Sequence, residues 1–446
     1  MSLQASTQFA MKTCEKLGAD EAEAFAQKQR TVEVVLERGE IQNERVKVHQ
    51  GIGIRFIKNR KLGFAFSSDI SKKNIQATCR NASVLSRTSI SNPDWVSLST
   101  PTKVPKVIGI YDKEVAAFNS EDVLRLAERA YKAVKEYDKR AFIDDGKFTV
   151  TSTEVAISNS HGIDSAEKST FLYCYLICVA KEHGEVSSMA FEYEVARSVQ
   201  FSPEKIGRSS AEKAVASLRP RATKSFKGKV ILDPDPASTI LLYPIIYSVN
   251  AENVQRRRSI WMNKLGEKVA AKQLSITDDG LLPNGIGSSS FDAEGVSRQK
   301  TQVISKGALK NFLYNSFTAN KEKRKSTGNA SRENYYMLPT VSASNFAVDS
   351  GKKKLDDILA EVEKGIIVRR FSGNIRPDSG EFSGIAKQAS YIEKGEVKHA
   401  LRETMISGNT FQALMNIIEI GSETRPTFLK TYAPPILLNN INIISK

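Results

Sequence analysis

The chain reads as an α+β protein with mixed, mainly antiparallel sheets and helices, in two to three domains that include a β-rich C-terminal domain. Three observations predict this. Apolar residues alternate with polar ones at period two between clusters of turn formers, as at Val32, Val34 and Leu36. Helical stripes are few and do not alternate with strands regularly enough for a doubly wound parallel sheet. A length of 446 residues, with 40% hydrophobic and 26% charged, is that of an ordinary globular chain with more than one core.

The first element is a helix over 3–17, with Phe9, Ala10, Cys14 and Leu17 on one face and Gly18 as its stop. A strand meander follows: Val32, Val34, Leu36, then Ile52, Ile54, Phe56, then Leu62, Phe64, Phe66. Its turns are at Arg38-Gly39-Glu40 and Lys58-Asn59-Arg60-Lys61. A helix near 71–86, burying Ile75, Cys79, Ala82 and Leu85, closes an N-terminal α+β domain over 1–90. A linker over 91–112 carries Pro93, Pro101 and Pro105 among Ser and Thr. The middle α+β domain, 113–220, opens with a helix capped by Ser120 and striped by Val123, Ala127, Ala130, Val134 and Tyr137. Strands at about 147–158, 168–181 and 186–198 follow, then a helix over 203–218 ended by Pro220. Residues 221–446 form the β-rich C-terminal domain of short strands and Gly-rich turns. There the apolar strand Val230-Ile231-Leu232 leads into Asp233-Pro234-Asp235-Pro236, where Asp235 can cap a helix and Pro236 suits its first turn.

Composition excludes several functions. No run of 18 apolar residues is present, so no transmembrane helix and no membrane partner is expected. The opening residues lack the basic and apolar regions of a signal peptide, which makes a cytoplasmic location the expectation. Four cysteines are too few for a disulfide framework in a chain this long, and Cys174 and Cys178 fall on one strand face as small core residues. The net charge of +15 gathers at Arg256-Arg257-Arg258, 321–325 and Lys352-Lys353-Lys354. Nucleic-acid motifs and interleaved aromatic platforms are missing around these runs, so a solvated basic surface is expected rather than a nucleic-acid partner.

Catalytic constellations are equally sparse. The histidines, His49, His161, His183 and His399, have no metal-ligand spacing, and His161 and His183 fall in turn signals. No G-x-S-x-G elbow occurs, and Gly51-Ile52-Gly53 reads as strand rather than as a dinucleotide fingerprint. Asp278-Asp279-Gly280 reads as a turn. Asp292 and Glu294 would share a face in a strand, with structural hydrogen bonding expected ahead of acid–base work.

Several spaced segments together carry a family likeness. They are Arg38-Gly39-Glu40-Ile41, Gly51-Ile52-Gly53-Ile54-Arg55, Leu62-Gly63-Phe64-Ala65 and 264–270. Further on come Phe291-Asp292-Ala293-Glu294-Gly295-Val296, 326–332, Ser379-Gly380-Glu381-Phe382-Ser383 and Ile406-Ser407-Gly408-Asn409. In order and spacing the chain resembles the TldD/PmbA family (peptidase U62, "modulator of DNA gyrase") over nearly its whole length. In that family's catalytic subunit a comparable strand and turn feed a helix bearing H-E-x-x-x-H, which holds zinc and activates its water. Here the corresponding positions are Tyr243, Pro244 and Ser248, and no cysteine follows Cys178 to act as the family's late third ligand. The chain therefore resembles the metal-free TldE/PmbA branch.

The resemblance implies a subunit without catalytic or metal residues of its own, in a TldD–TldE type metallopeptidase complex that cleaves unfolded peptides. Zinc is then expected in a TldD-like partner, with this chain completing the peptide cleft as one half of a heterodimer; alone, it could form a homodimer. Asp292, Glu294, Gly295, Gly328, Asn329 and Arg332, where the family segments are densest, are the expected cleft or interface residues. The glycine-rich strands would let an extended peptide approach closely. Two alternatives come from other classes: a basic regulator that binds nucleic acid or a topoisomerase, and a self-sufficient hydrolase with an unrecognised site.

Overall fold

The protein, seen in a computed structural model that describes residues 1–445, is built around one long antiparallel sheet and a β-rich C-terminal domain. Strands β1 (Glu21–Glu37), β2 (Glu40–Lys58) and β3 (Lys61–Ser67) form the meander. The turns joining them place Arg38 and Gly39, then Asn59 and Arg60, at positive φ, the geometry that matches the strands' own twist. The far edge of β1 pairs with β4 (Ala141–Asn159), which pairs with β5 (Asp164–Glu182). The short β6 (Glu185–Val186) and β7 (Ala190–Ala196) both pair with β5. Residues 1–90 and 113–220 thus share a single seven-stranded sheet.

Period-two alternation gives this sheet two different faces. Even-numbered side chains, among them Ala24, Val34, Ile54, Val150 and Leu176, lie under helices. At one end these are α1 (Leu3–Lys16) and α2 (Lys72–Thr88). A single turn, α3 (Lys113–Ala117), precedes α4 (Ser120–Tyr137), which packs with α5 (Pro203–Ala216) over the other end. Cys174 and Cys178 are both buried on this face. Burial raises both thiols, Cys178 to about 12, which leaves them inert as nucleophiles. Two expected core residues fall outside it: Leu85 and Tyr137, in the last turns of their helices, are exposed. The cap of α4 is Asn119 rather than Ser120, because Asn119 and Asp122 exchange side-chain-to-backbone bonds in a capping box, at 3.0 and 2.9 Å.

In the C-terminal domain, β8 (Phe226–Leu232) lies inside a nine-stranded sheet, antiparallel to Ile436–Ser445 and parallel to Lys364–Val368. A six-stranded sheet contains Ile276–Asp279, Lys300–Ser305 and Phe346–Val348. Between the two sheets runs a helical segment: α6 (Pro234–Ala237), a π-helical stretch Ser238–Leu242 and α7 (Tyr243–Val249). Its Ile240, Leu241, Leu242, Ile245 and Val249 are buried in a core shared by both sheets. Asp233, not Asp235, stands at its N-cap, and no side-chain bond is made there. Asp235 instead accepts from Tyr193 of β7 and from Arg425 (2.5 Å), so its carboxylate ties the first sheet to this domain.

The linker is tied to both sides of this boundary. Trp95 of the linker donates to Glu21 at 2.7 Å, Asn159 donates to the Ser99 carbonyl at 2.8 Å, and Asn284 donates its N–H to the Ile108 carbonyl at 3.0 Å. The glycines of Gly51-Ile52-Gly53 do permit a close approach, but the backbone that uses it is the chain's own. A Cβ on Gly53 would strike the Tyr335 carbonyl, and one on Gly51 the Tyr335 ring. Replacing Gly53 with Val should lower stability by about 1–3 kcal/mol through overpacking at this junction. The measurement is urea unfolding, with Val48→Thr on the exposed stretch of β2 as a control costing under about 0.5 kcal/mol. An unchanged midpoint for Gly53→Val would mean that the Tyr335 segment is not seated there.

Candidate functional site

The odd-numbered face of the long sheet meets the C-terminal domain across a cleft of about 520 Å³. The sheet supplies Phe25, Gln27 and Gln29 from β1, Thr149, Thr151 and Thr153 from β4, and Glu167, Ser169, Phe171 and Tyr173 from β5. The opposite wall includes Ile286–Ser289, Asp292, Arg298, Ala330–Arg332 and Lys430. Sequence reasoning singled out Asp292 and Arg332 of these. The hydroxyl and amide rows were hidden because Thr, Ser and Gln alternating in a strand look like a solvated face.

One end of the cleft is closed by a buried ion network. Glu23 and Arg55 are direct cross-strand partners on β1 and β2. Arg55 donates to both oxygens of Glu23, through Nε at 2.9 Å and through Nη2, and reaches Glu294 of the C-terminal domain at 3.4 Å. Arg332 also donates to Glu23. All four residues are almost wholly buried. Burial by itself would push Glu23 up, but Arg332 and Arg55 reverse this and hold its carboxyl below the usual range. Burial lowers Arg332, and Arg55 opposes its charge as well, while Glu23 supports it; the net shift is downward. The Arg332 guanidinium lies 5.0 Å from the Phe25 ring centre, and its Nε and Nη1 have no hydrogen-bond partner.

Asp292 and Glu294 lie in a turn, not a strand, and their carboxylates take different partners. Asp292 accepts from the N–H groups of Glu294 (2.8 Å), Val296 (3.0 Å) and Ala330 (3.0 Å). Burial and then the Glu294 carboxylate push its pKa up to about 7, against the pull of Arg298. Glu294 accepts from the Ser316 N–H at 2.8 Å besides its contact with Arg55. Gly295 and Gly328 hold φ of 77° and 70°, and a Cβ on either would strike Ile163 or the Ser297 carbonyl. Asn329 donates to Asp278 (2.7 Å) and to the Ser342 carbonyl (3.0 Å). Glu294, Gly295, Gly328 and Asn329 therefore stand behind the wall, while Asp292 and Arg332 line it. Asp278 is not in a turn: it lies within the strand Ile276–Asp279, buried, and accepts also from the Ser344 N–H at 2.7 Å. Those buried donors hold the carboxylate in the sheet.

The helix positions 243, 244 and 248 lie elsewhere, beside a shallow depression lined by Tyr247, Arg257, Arg258, Ile260 and Asp378. Tyr243 points outward and is 43% exposed, whereas Pro244 and Ser248 are buried. Pro244 has no N–H to give the preceding turn, which runs as a π-helix, and the Ile240 carbonyl there accepts instead from the Thr410 hydroxyl at 2.5 Å. The buried Ser248 hydroxyl has no partner. A phenol, a proline and one hydroxyl do not make a zinc donor set, so these positions do not fit the metal. Among the described residues no three His, Cys, Asp or Glu side chains converge to hold one. No described helix is long and apolar enough to cross a membrane.

Comparison with known proteins covers nearly the whole chain. The descriptions of the PmbA/TldA metallopeptidase match as domain 1 over 22–86, central domain over 113–218 and C-terminal domain over 225–445. An uncharacterized protein of Methanocaldococcus jannaschii is 30% identical over 90% of this chain and 91% of its own length. Metalloprotease PmbA of Escherichia coli O157:H7 is 25% identical (91% and 88% covered), and a metalloprotease TldD homolog of Buchnera aphidicola is 26% identical (88% and 83%). The crystal structure of TldE from Thermococcus kodakarensis superposes with a TM-score of 0.93 at 24% identity, over 98% of this chain and 99% of that one. This last likeness shows a shared fold.

The ion network makes a ranked prediction. Glu23→Gln strands the Arg332 guanidinium and leaves Arg55 only its 3.4 Å contact with Glu294, and should cost about 3–5 kcal/mol. Arg332→Met should cost clearly less, because Glu23 keeps Arg55 and two Arg332 nitrogens have no partner to lose. Since Glu23's folded pKa lies below its usual 4.5, its stabilisation is complete above about pH 4.5 and is lost as pH falls further. Urea unfolding across pH 3–7 checks both points, and equal costs for the two variants would refute the ranking.

Proposed function

The chain belongs to the PmbA/TldD metallopeptidase family, and from that premise we propose that it is the non-catalytic, TldE-like subunit of a two-chain zinc peptidase acting on unfolded peptides. Relatives named for both halves, TldD and PmbA, match it at similar identity, so likeness alone does not choose between them. The observation that carries the choice is the segment Tyr243–Ser248. Pro244 stands where the family's catalytic branch has its general base, and Ser248 is buried in the helix where that branch has an imidazole. In this reading the helix is a packing element between two sheets, and the metal chemistry belongs to a TldD-like chain.

The division of labour has a physical basis. Zinc polarises a carbonyl usefully only when the peptide is held beside it in a reactive pose, so a second chain that shapes the path contributes positioning as well as affinity. An enclosed path also restricts cleavage to chains that can thread in extended.

Two outcomes are expected. First, the isolated chain should retain no stoichiometric zinc after gentle purification. The variant Tyr243→His/Pro244→Glu/Ser248→His should not cleave an unfolded peptide by itself, since an imidazole at the buried Ser248 overpacks the helix and no partners orient it. Elemental analysis and a peptide-cleavage assay test this; about one zinc per chain, insensitive to replacing all four histidines, would contradict it. Second, mixing this chain with a TldD-like chain from the same cells should give a stable heterodimer whose peptidase activity neither chain matches alone. Light scattering that detects no complex at micromolar concentration, or full activity of the TldD-like chain by itself, would sink the proposal.

A further inference from the structure

The cleft holds more positive charge than its own walls neutralise. Four cations line it, Arg197, Arg298, Arg332 and Lys430; Arg332 is balanced by Glu23 in the ion network, which leaves three against two carboxylates, Glu167 and Asp292. The Arg197 guanidinium is spent on backbone carbonyls: those of Gly285, Ile286 and Ser288 across the boundary, and Thr170 on its own side. Arg298 likewise donates to the Ser289 hydroxyl (3.1 Å) and the Gly328 carbonyl (2.8 Å). Neither meets a carboxylate within ion-pair distance among the described residues. Glu167 is engaged by the Ser290 N–H at 3.0 Å.

Two cations keep unused donors. The Arg332 side chain is wholly buried, yet its Nε and Nη1 have no partner. Leaving such groups unpaired costs roughly 1–3 kcal/mol, more when charged, so they mark a place where a ligand oxygen is wanted. The Lys430 ammonium has neither hydrogen bond nor ion pair among the described residues; the residue is exposed and lines the cleft. Desolvation where the chain packs against it, then Arg298 and Arg197 nearby, lowers its pKa, which an incoming anion would reverse. Lys430 also stands at φ 58°, a left-handed backbone that a non-glycine residue adopts at a cost, in a tight turn closed by its N–H to the Thr427 carbonyl at 3.0 Å. On the opposite wall the buried Thr149 hydroxyl is likewise without a partner.

We propose that this cleft is a carboxylate-binding site, in which Arg332, Lys430 and Arg298 hold a carboxylate carried by an extended peptide lying on the hydroxyl-lined face of β1, β4 and β5. The charge argument stands on the cleft alone; the choice of a peptide as carrier rests on the peptide-handling role proposed above. The volume lies within the range of about 300–1,000 Å³ typical of small-ligand sites, so a short stretch of chain fits and a folded domain does not. A guanidinium N–H is a charge-assisted donor to a carboxylate oxygen; with Nη2 taken by Glu23, the free Nε and Nη1 of Arg332 do not form a fork, and each can make one such bond.

The test uses the isolated full chain and fluorescence anisotropy, with labelled, unstructured peptides of equal length. One has a free C-terminal carboxylate, one is amidated with an internal Glu, and one is amidated with Gln in its place. At least one carboxylate-bearing peptide should bind about tenfold tighter than the neutral one, and which of them does so identifies the source of the carboxylate. Lys430→Met, which removes no protein hydrogen bond, should erase that preference without moving the urea midpoint, and the preference should weaken with added salt. Equal binding of all three peptides, no binding of any, or a preference that survives Lys430→Met would each overturn the proposal. The assay contains no TldD-like chain and no catalysis, so its outcome is independent of the light-scattering test: failure to form a heterodimer sinks the subunit reading alone, and loss of the carboxylate preference sinks this site alone.

Discussion

The junction between the long sheet and the C-terminal domain depends on four buried charges, Glu23, Arg55, Glu294 and Arg332. Two carboxylates and two guanidinium groups balance, and each sign is supplied from both sides of the junction. Such a set gains little net energy against an apolar equivalent, since removing four charges from water costs nearly what their attraction returns. What it imposes is geometry. A shift of the domain along the sheet would leave an unpaired buried charge, so few alternative dockings are tolerated. The glycines at 51 and 53 act in the same direction sterically, because only a strand without side chains there admits the Tyr335 backbone.

That docking turns one sheet into two working surfaces. Residues two apart share a face, so the strands that bury Val34, Val150 and Leu176 beneath helices necessarily turn Gln27, Thr151 and Ser169 the other way. The C-terminal domain covers this second face without filling it. The result is a cleft whose floor is rigid sheet and whose far wall is a set of turns, including the tight one that presents Lys430. Polar residues on a rigid floor and cations on the wall suit recognition of an extended chain more than chemistry upon it.

The helical segment at 234–249 is fixed by what it packs against. Its apolar residues join both C-terminal sheets into one core. A proline inside such a segment would ordinarily disrupt it, yet a π-helical stretch precedes Pro244 and the Thr410 hydroxyl satisfies the Ile240 carbonyl.

Local pattern made much of this legible in advance. The helices, the meander with its two-residue turns and the shared face of Cys174 and Cys178 follow from periodicity and turn chemistry, which act over a few residues, and the family likeness follows from the order and spacing of its segments. Details set by competition between neighbours were harder to read: Asn119 rather than Ser120 at the cap, Asp233 ahead of Asp235, and Leu85 and Tyr137 projecting beyond the sheet that should have covered them. The cleft itself was not readable. Glu23 meets Arg332, and Lys430 stands near Arg197 and Arg298, only because strands far apart in sequence are brought side by side. The sequence by itself determined which residues alternate, turn and cap, because those preferences are local. Only the tertiary structure decided which charges are paired and which keep free donors, because that balance depends on what each buried group finds opposite it once water has left.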